Sequence, residues 1–276
     1  MNPLLVRQFL QQALIEDVGS RDLTSDLLFE PGTQIRGTLL AKQEGRVAGL
    51  PVAEESFRLL DPQVRFEVHL PDGSDVKPGD ILATVTGSAR AVLSAERVAL
   101  NMLQRMSGIA TTTRDVCRKV EDLPVRITDT RKTVPGLRLF DKYAVTIGGG
   151  VNHRFGLYDA VMIKDNHIAA AGSLTAAVEK IKKGIGHLVK IEVEADTLEQ
   201  VKEAVEAGVD VILLDNMSPA MLEEAVRIVS GRAITEASGG ITPDTVREFA
   251  VAGLDIISLG WLTHSVKALD ISLDLQ

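Results

Sequence analysis

The chain has 276 residues, 45% of them hydrophobic, and its 30 basic against 38 acidic side chains leave a formal net charge of -8. That length supports one large core or two smaller ones, and the acidic balance argues against nucleic acid, whose binding needs a basic face. The apolar runs fall far short of a membrane span, the N-terminus lacks a cleavable signal pattern, and a lone Cys117 makes neither an internal disulfide nor a cysteine metal site, so a cytoplasmic protein is expected.

An amphipathic helix is expected over 4–15. The Gly19-Ser20 break and the Thr24 and Ser25 oxygens suggest a turn into a second short helix. From 34 to 87 the pattern alternates instead, with half-buried strands at 35–41, 64–69 and 81–87 and turn chemistry over 71–80. This β-rich unit resembles the swapped hammerhead of lipoyl and biotinyl carriers. A carrier needs a modifiable lysine at a hairpin tip between two hydrophobic residues, and neither Lys42 nor Lys77 sits in such a setting, so the unit reads as a structural module. A long helix follows over 94–106, with Ser94 as its N-cap, a broad apolar face, and Arg97 and Arg105 among its polar positions.

Beyond that helix a strand-helix rhythm sets in. Strands are expected at 125–128, 160–163, 189–194, 209–214, 233–236 and 255–259, with helices at 197–207, 218–230 and 243–252. Short β-branched strands alternating with helices imply parallel βα units wound right-handed. The even repeat, without an early glycine fingerprint, favours a barrel over a doubly wound sheet.

Residues 129–168 contain Arg131, Lys132, Arg138, Lys142, His153, Arg154, Lys164 and His167, a basic island in an acidic chain. The charges alternate with glycine and apolar residues rather than forming one solvated block. Such a cluster suits a small ligand with several carboxylates or phosphates. The strands also end in residues a core does not want: Asp129 and Arg131, Lys164 and Asp165, Glu194, Asp215 with Asn216, Ser238-Gly239-Gly240, and Gly260. In a barrel these converge on one mouth. Ser238-Gly239-Gly240 precedes Thr242-Pro243, read as an N-cap and first helical position, so backbone N–H groups and a helix N-terminus face an anion. Glu194 and Asp215 are placed to bind a metal or sugar hydroxyls, or to stabilise developing positive charge. These parts suit transfer of a ribosyl phosphate. They equally allow an aldolase-type barrel with Lys164 as a Schiff-base amine.

A resemblance narrows the choice. Asp22-Leu-Thr-Ser25, Glu96-Arg-Val-Ala-Leu-Asn101, Ser107-Gly-Ile-Ala-Thr111, Asp129-Thr-Arg-Lys-Thr-Val-Pro-Gly-Leu-Arg138, Gly148-Gly-Gly-Val-Asn-His-Arg154, Ile163-Lys-Asp-Asn-His167, Glu192-Val-Glu194, Leu214-Asp-Asn216, Glu236-Ala-Ser-Gly-Gly240 and Leu262-Thr-His-Ser265 are together similar to the quinolinate phosphoribosyltransferase family, essentially end to end. Arg21 stands where the family often has Gly, and Trp261 where a small residue is usual.

The resemblance implies an N-terminal α/β domain over 1–107, an open α/β barrel of parallel strands over 108–264, and a tail over 265–276 that returns to the first domain. It implies Mg²⁺-dependent reaction of quinolinate with phosphoribosyl pyrophosphate. Arg131, Lys132, His153, Arg154 and Lys164 would line the quinolinate pocket, with Arg97 added from the neighbouring subunit of a homodimer. Glu194 and Asp215 would serve the ribose and metal side, and Ser238, Gly239, Gly240, Gly260 and His264 the 5′-phosphate. Lys132, Lys164, Glu194 and Asp215 form the implied catalytic set. The full cation set argues against a related enzyme for another pyridine carboxylate. A non-catalytic binding module would leave Glu194 and Asp215 without a task. For decarboxylation no dedicated acid stands out, and His153 is the imidazole of choice.

Overall fold

The computed structural model describes residues 1–250 and 253–275. The chain forms two compact units: unit 1 is Met1–Arg114, Val134–Gly149 and Ser265–Gln276, and unit 2 is Asp115–Thr133 and Gly150–His264.

Helix α1 (Pro3–Val18) starts at Asn2, whose Oδ1 accepts the Leu4 N–H at 3.0 Å. Helix α2 (Leu23–Leu28) is capped by Asp22, which accepts the N–H groups of both Thr24 and Ser25, so the capping oxygens are not those of Thr24 and Ser25. Strands β1 (Gln34–Ala41) and β2 (Gly45–Arg46) lead into α3 (Leu50–Leu60), a helix between two expected strands of the stretch read as β-rich. It is capped from a distance: the Asp72 carboxylate accepts the Gly49 and Leu50 N–H groups at 2.9 and 3.0 Å. A cap 22 positions downstream leaves no local signal.

Strands β3 (Arg65–Val68), β4 (Asp75–Val76) and β5 (Ile81–Ser88) follow, and β5 runs directly into α4 (Ala89–Arg118). The 94–106 helix is therefore longer at both ends, and Ser94 is interior to it. Its Oγ donates to Asp22 Oδ2 at 2.9 Å instead of capping. Beyond Met106 the Gly and Thr residues weaken helix propensity. There the Thr111, Thr112 and Thr113 hydroxyls donate to the carbonyls four residues back, which satisfies them within the helix. Gly108 is required on packing grounds, since a Cβ there would lie 2.2 Å from the Lys267 carbonyl oxygen.

Unit 2 carries the strand series. Strand β6 (Arg126–Thr128) comes first, after which the chain leaves for unit 1 as α5 (Arg138–Ile147). Residues 134–149, expected within the barrel, thus cluster with unit 1, because the buried face of α5 finds its partners there. Phe140 stacks on Phe9 at 4.8 Å, Asp141 takes both forks of Arg105 at 2.9 Å, and the Tyr143 hydroxyl donates to Asp72. The chain returns as β7 (Val161–Ile163), α6 (Asp165–Ala171), α7 (Leu174–Lys182), β8 (Ile191–Ala195), α8 (Leu198–Glu206), β9 (Val211–Asp215), α9 (Pro219–Val229), β10 (Ile234–Ser238), α10 (Val246–Ala250), β11 (Ile256–Ser258) and α11 (Trp261–His264).

The six strands form one sheet in the order β6-β11-β10-β9-β8-β7, every pairing parallel. This is cyclic sequence order with one opening, between β6 and β7, where Thr128 bridges Val151. The fold of unit 2 is therefore an open α/β barrel. Of the helix expected over 243–252, Val251 and Ala252 lie outside the described residues, and its start moves to Val246. Ahead of it lies a turn in which the Thr242 carbonyl accepts from the Thr245 and Val246 N–H groups, so the regular helix begins three residues after Pro243.

In unit 1, β12 (Ile271–Leu275) pairs antiparallel with β1, completing a sheet of order β12-β1-β5-β3. Strands β2 and β4 make a separate pair.

Candidate active site

A cavity of about 530 Å³ opens at the carboxyl ends of the barrel strands. Side chains two apart on a strand share a face, and here they line the cavity as two layers. The rim layer is Lys164, Glu194, Asp215, Ser238 and Gly260; the floor layer is Met162, Leu213, Glu236 and Ser258. Glu192, paired with Met162 in register, belongs to the same floor and is buried.

The cations come from three places. Arg131 and Lys132 follow β6, His153 and Arg154 precede β7, and Lys164 follows it. The buried Asp129 carboxylate accepts the His153 N–H at 2.9 Å, which joins the first two loops. Arg154 Nη1 donates to the Ala160 carbonyl at 2.8 Å. The Nε atoms of Arg131 and Arg154 are both buried without a hydrogen-bond partner among the described residues. Burial, then the adjacent Arg131 charge, lowers the affinity of the Arg154 guanidinium for its proton. Two repelling guanidiniums with unspent donors call for a multiply charged anion between them.

Lys164 Nζ donates to Glu194 Oε2 at 2.7 Å, and the Lys164 N–H donates to His167 Nδ1 at 3.0 Å. His167 therefore sets the loop behind Lys164. An ammonium held by a carboxylate suits charge recognition better than Schiff-base chemistry, which needs a free amine. Across the mouth, oxygens of Glu194, Asp196 and Asp215 lie within 4.8 Å of one another. Burial, then the charges of Glu194 and Asp196, raises the pKa of Asp215, against the pull of Lys164 and Lys132.

The glycine loop after β10 has both Gly239 (φ +94°) and Gly240 (φ +64°) in the left-handed region. A Cβ on Gly239 would meet Asn216 Oδ1 at 2.2 Å, while the Asn216 N–H donates to the Ser238 carbonyl at 2.9 Å. The loops after β9 and β10 are thus locked together. Gly260 lets Lys132 pass, since a Cβ there would stand 2.9 Å from Lys132 Cδ. Thr263 Oγ1 donates to the Lys132 carbonyl at 2.8 Å, tying α11 to the loop after β6. His264 and Trp261 also line the cavity.

Of the expected site residues, the structure gathers Arg131, Lys132, His153, Arg154, Lys164, Glu194, Asp215, Ser238, Gly239, Gly240, Gly260 and His264 around this one cavity. Arg97, Arg138 and Lys142 belong to unit 1, and Lys142 is fully buried there. The basic island is therefore shared between the two units, with Arg138 and Lys142 carried on α5. Sequence reasoning gave no role to Glu192 and Glu236, although a signal existed: each is an acid within, rather than beyond, a buried parallel strand.

Two family models match: the quinolinate phosphoribosyl transferase N-terminal domain over residues 22–107 and its C-terminal domain over 109–274. The chain is 49% identical over its whole length to a Bacillus subtilis (strain 168) protein described as a probable nicotinate-nucleotide pyrophosphorylase (carboxylating), covering 95% of it. Among solved structures it is similar to NadC from Streptococcus pyogenes (42% identity, TM-score 0.95, covering 100% of this chain and 99% of that one). A nicotinate-nucleotide pyrophosphorylase from Francisella tularensis is similar at 35% identity and TM-score 0.95, with 100% and 98% covered.

Proposed function

The chain belongs to the quinolinate phosphoribosyltransferase family, and we propose from that premise how its own residues divide the work. The reaction transfers the phosphoribosyl group of phosphoribosyl pyrophosphate to quinolinate with decarboxylation, giving nicotinate mononucleotide for NAD biosynthesis. The observation that carries the division is the polarity of the cavity. Unspent guanidinium donors of Arg131 and Arg154 come from the loops beside β6 and β7, and the carboxylates of Glu194 and Asp215 from the ends of β8 and β9.

In this reading Arg131, Lys132, Arg154 and Lys164 hold the two carboxylates of quinolinate, with His153 lining the same pocket, and the ring nitrogen faces the anomeric carbon of the ribose. Ser238, Gly239, Gly240, Gly260 and His264 receive the 5′-phosphate through backbone N–H groups and the imidazole. The ring nitrogen bonds to the anomeric carbon as pyrophosphate departs. Glu194 and Asp215 offset the oxocarbenium charge that develops between those events. Holding both substrates removes much of the orientational cost of a bimolecular step.

Mg²⁺ belongs to the same reading. Glu194, Asp196 and Asp215 present clustered hard oxygens, the donor type that Mg²⁺ takes; they would hold the ion, which when bound neutralises charge on the pyrophosphate. Arg97 is exposed on α4 and is assigned to the pocket of a second copy, which makes a homodimer the working unit. The cytoplasm is the proposed location, where a single cysteine stays a thiol. Among the described residues no helix is long and apolar enough to cross a membrane.

The test is release of CO₂ and pyrophosphate from quinolinate with phosphoribosyl pyrophosphate and Mg²⁺, with nicotinate as control. Turnover with quinolinate alone supports the cation assignment; turnover with nicotinate alone overturns it. Mixing inactive Arg97→Ala and Lys164→Ala proteins tests the shared site. Recovery toward about a quarter of wild-type activity is expected if each mixed dimer regains one intact site.

A further inference from the structure

The floor of the barrel holds an acid that the division above leaves unused. Glu236, in the middle of β10, is only 3% exposed yet lines the cavity, and its Oε1 has no hydrogen-bond partner among the described residues. Around it stand Glu192 from β8, His153 from the loop before β7, Asp129 after β6 and Ser258 from β11. An ionised carboxylate buried beside two further acids is costly, whereas a neutral carboxylic acid is not. Burial first, then the Glu192 charge, raises the pKa of Glu236 to about 7, with His153 acting in the opposite direction.

His153 is oriented as a partner to these acids. Its Nδ1 accepts the Arg154 N–H at 2.8 Å, so the proton of the neutral ring sits on Nε2. That Nε2 lies 3.1 Å from Glu192 Oε2 and 3.7 Å from Glu236 Oε1. Both ring nitrogens are thus engaged with the protein. The Lys164 ammonium is likewise engaged, with Glu194. His153, the imidazole of choice for decarboxylation, thus has its ring nitrogens turned to the Arg154 N–H and to Glu192.

We propose that Glu236 is the general acid of the decarboxylation step, delivering its proton to the pyridine ring carbon that loses CO₂. The assignment rests on the quinolinate reading above. After phosphoribosyl transfer the ring is a pyridinium. The bond between C2 and its carboxylate breaks, CO₂ departs, and the electron pair remains on C2 beside the cationic nitrogen. The Glu236 O–H bond then breaks toward C2, forming the new C–H bond and leaving a carboxylate, which regains a proton from solvent after product release. Glu192 is a positioning residue: its charge keeps the proton on Glu236.

Single-turnover experiments on the full chain separate the two steps, following pyrophosphate and labelled CO₂ and weighing acid-quenched nucleotides. In Glu236→Gln, CO₂ release should fall about 10²–10⁴-fold, and the carboxylated mononucleotide should accumulate as pyrophosphate departs. In wild type, CO₂ release should decline as pH rises through about 7. Glu192→Gln removes the charge that favours protonation, so it should move this decline to lower pH. Wild-type rates of CO₂ release in Glu236→Gln would overturn the assignment. So would an equal fall of both products without accumulation, or a pH profile unmoved by Glu192→Gln. Wild-type protein that releases neither product would overturn the quinolinate reading and this assignment with it.

Discussion

The two ends of the barrel in unit 2 are both polar and both concave. At the amino ends of the strands a hollow of about 550 Å³ is lined by Lys190, Asp210, Arg232 and Asp255 among others, against about 530 Å³ at the carboxyl ends. Volume and charge content therefore do not tell them apart. Satisfaction of the polar groups does. Asp210 accepts from Lys190 Nζ and from the Ile191 N–H, and Asp255 accepts from both the N–H and the hydroxyl of Thr235. These acids tie one strand start to the next. At the carboxyl ends, Arg131 Nε, Arg154 Nε and Glu236 Oε1 are buried and unspent. Buried polar atoms without partners are costly, so a fold that keeps three of them around one cavity keeps them for something that arrives. One end spends its polar groups on holding the barrel together, and the other keeps three of them unspent around a cavity.

The largest expected effect breaks the ligand end. Arg131→Ala removes one of two adjacent guanidiniums, and kcat/KM for quinolinate should fall by about 2–5 kcal/mol of transition-state stabilisation, the range for truncating one partner of a buried charge pair. Steady-state kinetics beside a melting curve check it. Stability should not fall, because the Arg154 guanidinium loses a repelling neighbour. A large drop in melting temperature with intact kcat/KM would erase the contrast between the ends.

The ligand end was also the more legible in the sequence. Charged or glycine residues just past β-branched runs are conspicuous, and Arg131, Lys164, Glu194, Asp215, Ser238, Gly239, Gly240 and Gly260 line the cavity, whereas Asp129, Asp165 and Asn216, expected at the same mouth, are not among its lining residues. Two failures have physical causes. Arg138 and Lys142 were grouped with Arg131 because they are near in sequence, but the amphipathic α5 carries them into unit 1. Glu192 and Glu236 were passed over because only residues at or beyond the strand ends were weighed as mouth groups; the lumen of a barrel gives an acid within a strand a place too. Strand starts were set early, at 189 and 209, since Lys190 and Asp210 adjoin apolar residues. Those two charges in fact hold each other outside β8 and β9. The extent of α4 was hidden by Gly108 and the threonines after it, weak helix formers that tertiary packing holds in the helix.

A smaller effect belongs to the structural end. Asp255→Ala leaves the N–H and hydroxyl of the buried Thr235 without their shared acceptor. Chemical denaturation should show a loss of roughly 1–3 kcal/mol. Activity per folded molecule should be unchanged, the reverse of Arg131→Ala.

Asp210→Asn should give the smallest effect, and its pH dependence identifies its source. Burial raises the pKa of the Asp210 carboxyl, but hydrogen bonds from Lys190 and the Ile191 N–H outweigh it, and the net shift is downward from 3.8. A carboxyl whose folded pKa is depressed contributes stability above its unfolded pKa and loses it as pH falls through the folded one. Wild type should therefore exceed Asp210→Asn in stability at pH 7, with the gap closing below about pH 4. Lys190 is 68% exposed and Asp210 33%, so solvent screens the pair and the gap should stay within about 1 kcal/mol. High salt should narrow it further. A gap that persists undiminished at pH 2–3 would instead trace to the acceptor geometry at the Ile191 N–H, which Asn alters without any change of charge with pH. The start of β8 would then be fixed by that hydrogen bond rather than by the ion pair.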